Sequence, residues 1–145
     1  LGNIFSDQYI YVNRGVNGIE GSLSTAVGYA IAHQEEDDVY CVIGDLSFFY
    51  DQNALWNESL PPNLAILLLN NGGGGIFHQL PGLERSPYRD SAVAAQHTAS
   101  AEGICQTHDI VYLSARNEEE LYKNLDKFFN AEEGPMLLEG LTNAE

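Results

Sequence analysis

VYCVIGD at residues 39–45 and LAILLLNNGGGG at residues 64–75 decide the fold. Val39 to Ile43 and Leu64 to Leu69 are short, uninterrupted apolar runs, each bounded by glycine or by polar residues. Strands that bury both faces have this pattern, and such strands belong to parallel sheets covered by helices. Pro61-Pro62 breaks the chain before the second run, and a helix is expected between them at about Gln52 to Ser59. Working outward, Tyr9 to Val12 reads as a further strand, followed by a turn rich in glycine (Gly15, Gly18, Gly21) and a helix from about Ser22 to Gln34. On the other side, the pattern predicts a helix near Ala99 to Gln106 and a strand at Ile110 to Leu113. A helix to Phe129 follows, opened by Asn117 with Glu120, and Met136 to Leu138 is a last strand after Gly134-Pro135. Alternating strands and helices predict an α/β fold: a doubly wound parallel sheet with helices on both faces. Residues 1–145 are read as one domain, cut from a longer multidomain chain, since the sequence opens at Leu1 and reaches dense glycine motifs almost at once.

The charge balance excludes several classes of function. Six Lys and Arg stand against 21 Asp and Glu, a formal net charge of −15, which repels nucleic-acid backbones and anionic membrane surfaces. The acidic runs at Glu35–Asp38 and Glu118–Glu120 read as solvated faces. Cys41 and Cys105 lack metal-like spacing and fit free thiols in a reducing cytoplasm, and no apolar run approaches membrane-spanning length. His33, His78, His97 and His108 have no partners at catalytic spacing and are read as ordinary residues. The segment from His78 to Ser91, with Pro81, Gly82 and Pro87, reads as a long loop needing a ligand or partner to order it.

In parallel α/β sheets, ligands bind beyond the carboxyl ends of the strands. Asp45 and Asn71 follow two such strands, 26 positions apart (71 − 45), with one crossover between them. Taken singly, Asp45 serves as a helix cap and the Asn-Gly run as a tight turn. Together they place a carboxylate and an amide oxygen at one sheet edge, where a glycine-freed carbonyl can join them. Hard oxygen donors of this kind suit Mg²⁺ or Ca²⁺ rather than zinc. Magnesium held by few protein groups completes its shell with water and phosphate, and Gly72 to Gly75 would let the backbone approach such an anion. Arg14, one of few cations and at a strand end on the ligand side, suits a substrate carboxylate.

The pattern Gly44-Asp45 followed by Asn70-Asn71 resembles the cofactor signature of thiamine-diphosphate-dependent enzymes. NRGVNGIEGSLSTAVG (13–28), GDLSFFYDQNAL (44–55) and LLLNNGGGGIFHQLP (67–81) are more specifically similar to the SEPHCHC synthases of menaquinone biosynthesis. Acetolactate synthases and related decarboxylases usually carry GDG where this chain has Gly44-Asp45-Leu46. The resemblance spans nearly the whole chain and is strongest up to Pro81. It implies a thiamine-diphosphate-binding fold with Asp45, Asn71 and the Gly73 carbonyl as Mg²⁺ ligands. Gly44 belongs to the same cofactor motif, Ser47 would bond the diphosphate, and Ile19 would be the apolar wedge that bends the cofactor. Arg14, Ile76 and Phe77 fall at substrate contacts.

The implied reaction decarboxylates 2-oxoglutarate and adds the remaining four-carbon unit to isochorismate, in a cytoplasmic homodimer or homotetramer. The family's catalytic Glu lies in another domain supplied by another subunit, and no segment here matches it. No catalytic residue is therefore assigned, and the isolated chain is expected to be inactive. The other readings are a different thiamine-diphosphate 2-oxo acid decarboxylase or acetolactate-synthase-like enzyme, and a non-catalytic flavodoxin-like binding module.

Overall fold

The apolar runs at 39–43 and 64–69 form the first two strands of the sheet in the computed structural model, which describes residues 9–13, 15, 18–58, 60–130 and 134–142. Strand β1 spans Val39–Gly44, β2 Leu64–Asn70, β3 Val111–Ala115 and β4 Met136–Leu141. They lie in the order β1-β2-β4-β3, and every neighbouring pair is parallel. Among the described residues, four α-helices connect or flank them: α1 (Ser22–Ala32), α2 (Asp45–Tyr50), α3 (Glu102–Thr107) and α4 (Glu118–Phe129).

The alternation of side chains along each strand divides the core in two. Cys41 and Ile43 of β1, Leu64, Ile66 and Leu68 of β2, and Leu137 of β4 face one layer, where Leu23 and Val27 of α1, Phe48 of α2 and Cys105 of α3 pack on them. Ala65 of β2, Ala115 of β3, and Met136 and Leu138 of β4 face the other, covered by Leu121, Leu125 and Phe128 of α4. Each fully buried Leu or Phe contributes about 1.5–3 kcal/mol relative to exposure. Helices on both faces of a parallel sheet are the doubly wound arrangement that the alternating pattern predicts.

Three local expectations change. Tyr9 to Val12 does not join the sheet: Tyr9 is 81% and Val12 71% exposed, and Tyr11 instead leans its ring on Tyr29 with centroids 5.5 Å apart. A β-branched, aromatic run has strand propensity, but a strand needs a partner ladder to pay out that propensity. The helix expected at 52–59 begins at Asp45 instead and gives way to a tighter 3₁₀ turn at Gln52–Trp56, Ser59 lying outside the described residues. The segment after β2 is not an open loop, since it forms short helical turns at Gly75–Gln79, Leu83–Arg85 and Arg89–Val93.

The β1 edge departs from full burial as well. On the α4 side, α4 lies over β3 and β4, and Tyr40 reaches its end through ring contacts with Phe128 and Phe129 at 5.9 and 5.5 Å. Val42 and Leu69 remain 64% and 48% exposed on that face.

Candidate functional site

The register of β1 on β2 aligns Gly44 with Leu69, so Asp45 and Asn71 emerge from adjacent parallel strands at the same carboxyl edge. Gly44 is extended (φ −81°, ψ 160°), and the chain turns from it directly into α2. That turn brings Asp45 down into the edge, where it is only 3% exposed. Asp45 Oδ1 accepts the N–H of Leu46 (2.7 Å), and Oδ2 accepts the N–H of Gly73 (2.9 Å) across the strand gap.

Gly73 is held there by a strip of backbone from the far side of the loop. Gly74 N–H donates to the Ala94 carbonyl (2.7 Å), and His97 N–H donates to the Gly72 carbonyl (3.0 Å), bracketing Gly73 between them. Gly72 has φ +76° and Gly73 φ +153°, and a Cβ on Gly73 would sit 2.9 Å from the Ala94 oxygen. Any side chain at Gly73 would push this strip away. The glycines thus serve a close approach of backbone to backbone, in addition to whatever the run presents to a ligand.

Asn71 completes the cluster. One atom of its side-chain amide lies 3.1 Å from Asp45 Oδ2 and 2.7 Å from the Gly73 carbonyl oxygen. With nitrogen inward, the amide donates to both. With oxygen inward, three oxygens from three different groups converge with no proton between them. Such convergence is repulsive alone and favourable around a cation. Adjacent oxygens around an octahedral Mg²⁺ stand about 3.0 Å apart, √2 times a metal–oxygen distance near 2.1 Å, close to the 3.1 Å separation here and somewhat longer than the 2.7 Å one. The donor set therefore fits a hard divalent cation. Among the described residues no three His, Cys, Asp or Glu side chains converge, which leaves no zinc-type cluster there.

The remaining sequence-predicted residues spread around this centre. Ser47 lies half-buried in the first turn of α2, two residues beyond Asp45. Ile19, 42% exposed, precedes α1, with its N–H held by Glu20 Oε2 (3.0 Å), and takes no part in the Asp45 hydrogen bonds. Ile76 is 68% exposed, so it does not have the core role an apolar residue after a loop often has. Phe77 is half-buried and turns its ring over Gly74, where a Cβ would be 2.7 Å from the ring. Arg14 lies outside the described residues.

Residues 3–140 match the family described as thiamine pyrophosphate enzyme, C-terminal TPP binding domain. The chain belongs to this family. Thiamine pyrophosphate, also called thiamine diphosphate, is the cofactor of the domain. Among its relatives, the 2-succinyl-5-enolpyruvyl-6-hydroxy-3-cyclohexene-1-carboxylate synthase of Phocaeicola vulgatus is 49% identical over 138 residues, covering 94% of this chain and 24% of that protein. The protein of the same name from Bacteroides thetaiotaomicron is 51% identical over 133 residues, covering 90% and 24%. That from Desulfotalea psychrophila is 41% identical over 134 residues, covering 92% and 24%. The chain thus spans about a quarter of the length of these relatives.

Two features of this TPP-binding domain escape sequence reading. The first is His97, on an irregular segment 52 positions after Asp45 (97 − 45), whose Nε2 lies 3.3 Å from Asp45 Oδ2. Nothing in local spacing signals that approach. The second is Glu139, fully buried in β4, which accepts from Asn70 Nδ2 (2.7 Å), Ser100 Oγ (2.7 Å) and Tyr112 Oη (2.6 Å). Asn70 in turn accepts the Gly72 N–H (3.1 Å), so the network ends beside the cluster. A lone Glu in the apolar strand MLLEGL is the signal that could have exposed it. A hollow of about 150 Å³ opens beside Asn70, Asn71, Gly72 and His97. A smaller one of about 30 Å³ lies at the amino ends of β1 and β2, among Tyr40, Asn63, Leu64 and Phe128, away from the converging oxygens.

Proposed function

We propose that this chain is the cofactor-diphosphate and Mg²⁺ half-site of a SEPHCHC synthase, one domain of a longer cytoplasmic homo-oligomeric enzyme. The observation that carries the reading is the convergence of Asp45 Oδ2, the Asn71 amide and the Gly73 carbonyl at 2.7–3.1 Å. Asp45 and Asn71 would bind the cation through side-chain oxygen and Gly73 through its carbonyl. Ser47, in the turn after Gly44-Asp45, would donate to a diphosphate oxygen. Ile19 would supply the apolar wedge against the cofactor, and Arg14, Ile76 and Phe77 the substrate contacts. The exposure of Ile76 supports a lining role.

The bound cofactor supplies the carbanion chemistry, and this domain supplies metal, orientation and charge. Two N–H groups fix the rotation of the Asp45 carboxylate, which would hold the cation. Gly72–Gly74, clamped by Ala94 and His97, keep the carbonyl aimed at the same point. In the whole enzyme, 2-oxoglutarate loses CO₂ and the remaining four-carbon unit adds to isochorismate. The relatives named 2-succinyl-5-enolpyruvyl-6-hydroxy-3-cyclohexene-1-carboxylate synthase, at 49% and 51% identity, support a product of that class.

Asp45→Ala in the full-length parent enzyme is expected to abolish Mg²⁺-dependent thiamine diphosphate binding in a calorimetric titration. Unchanged binding would sink the metal assignment. Product analysis with 2-oxoglutarate and isochorismate tests the reaction: a carboligation product made from another acceptor, with none from isochorismate, would move the chain to another 2-oxo acid decarboxylase or an acetolactate-synthase-like enzyme.

A further inference from the structure

His97 is held in place independently of Asp45. Its backbone N–H donates to the Gly72 carbonyl (3.0 Å), its Nδ1 accepts the Ala99 N–H (3.1 Å), and its ring meets Phe49 edge-on with centroids 5.3 Å apart at 85°. Because Nδ1 accepts, the proton of the neutral ring belongs on Nε2. That nitrogen is buried and stands 3.3 Å from Asp45 Oδ2, yet off the line of a hydrogen bond, so it has no hydrogen-bond partner. Buried polar groups without partners are uncommon, and one aimed at a carboxylate edge calls for an explanation.

We propose that His97 is a positioning residue of the cation site, its Nε2–H restraining Asp45 Oδ2 so that the carboxylate meets the cation together with Asn71 and Gly73. The inference rests on the reading of those three groups as cation donors. A carboxylate offers about four lone-pair sites. Leu46 N–H takes one on Oδ1 and Gly73 N–H one on Oδ2. The imidazole Nε2, 3.3 Å from Oδ2, is a further donor within reach of the oxygen that would face the cation. A rotation that put Nε2–H on the line to Oδ2 would constrain the carboxylate on both oxygens, with the Leu46 N–H on Oδ1. Groups that orient metal ligands in this way change metal affinity by about 10- to 100-fold when removed. The strip that carries His97 is anchored by backbone bonds at Ala94 and His97, so removing the ring's donor leaves the strip attached.

The test uses the full-length parent enzyme with thiamine diphosphate and Mn²⁺ as a paramagnetic stand-in for Mg²⁺, read by electron paramagnetic resonance. His97→Phe keeps an aromatic ring against Phe49 and lacks the donor. Its Mn²⁺ dissociation constant is expected to rise about 10- to 100-fold, with an altered spectrum of the bound ion. His97→Gln, which retains an amide donor, is expected to recover part of the affinity. Wild-type Mn²⁺ affinity in His97→Phe overturns the proposal, as does a His97→Gln enzyme as weak as His97→Phe, since shape alone would then explain the loss. Should His97→Phe fail to fold, His97→Gln against His97→Leu makes the same comparison. Asp45→Ala separates the two layers of the argument. Loss of Mn²⁺ binding there with wild-type affinity in His97→Phe removes only the role of His97, whereas wild-type binding in Asp45→Ala removes the cation reading and this proposal with it.

Discussion

Glu139 holds three side chains and one backbone N–H on a single fully buried carboxylate. Burying it is tolerable because its lone pairs are used, and removing a partner exposes the cost. Burial, then the bond to Glu139, pushes the Tyr112 phenol up from 10.0 to about 12. The folded chain therefore keeps that proton after an unfolded chain would have lost it. Its stabilising contribution is complete below about pH 10 and is lost as pH rises through about 12. Tyr112→Phe should cost about 1.5–3 kcal/mol at neutral pH, the range for a hydrogen bond to a charged group, and should flatten the fall in stability between pH 10 and 12. Urea unfolding across that range checks both, and an unchanged alkaline fall in the variant would rule out Tyr112 as its source. Cys41 and Cys105 are buried thiols raised to about 11 and about 12, mainly by desolvation, and are expected to resist alkylation at pH 8 until the domain unfolds.

At the scale of elements, two helices begin in different ways. Helix α4 opens with a local cap, Asn117 Oδ1 accepting the Glu120 N–H (2.9 Å), while Glu120 Oε2 reaches back to the Arg116 N–H (2.8 Å). This start was legible because the capping pair sits three residues apart in sequence. Helix α1 starts after Gly21 with no side-chain cap of its own. Its cap comes from Asp51, 27 residues away, which takes the Ser24 N–H and hydroxyl at 2.7 Å each. No local pattern signals a cap that far off. Asn117→Ala should lower stability by about 1 kcal/mol. Asp51→Ala should cost more, about 2 kcal/mol, because Asp51 is 5% exposed and its carboxylate accepts two hydrogen bonds from Ser24, each to a charged group. Equal shifts in the urea midpoint would show that the long-range cap adds nothing to a local one. Asn63 closes the other end of α1, its Nδ2 reaching the carbonyls of Ala30 and His33 at 3.3 Å each.

Across the whole molecule, the sheet edge gathers groups from distant parts of the chain: Asp45 after β1, Asn71 and Gly73 after β2, His97 beyond the helical turns, and Glu139 in β4. If these form one cation and diphosphate site, ligand binding should stabilise the fold by mass action. In the full-length enzyme, Mg²⁺ and thiamine diphosphate at about 100 times the dissociation constant should add about 2.7 kcal/mol, raising the unfolding midpoint in wild type and not in Asp45→Ala. An equal rise in the variant would place the stabilising contact elsewhere.

The sequence alone determined the parallel α/β architecture, because runs apolar on both faces have few other homes. It also located Asp45 and Asn71, because strand ends at a switch to glycine are local features. Only the tertiary structure decided what depends on partners brought from afar. Tyr9–Val12 stays out of the sheet for want of a ladder, Val42 is left exposed at the edge, and the glycine run serves the close approach of Ala94 and His97. Periodicity reports which face of an element is apolar. It cannot report which residue, dozens of positions away, supplies the missing hydrogen bond.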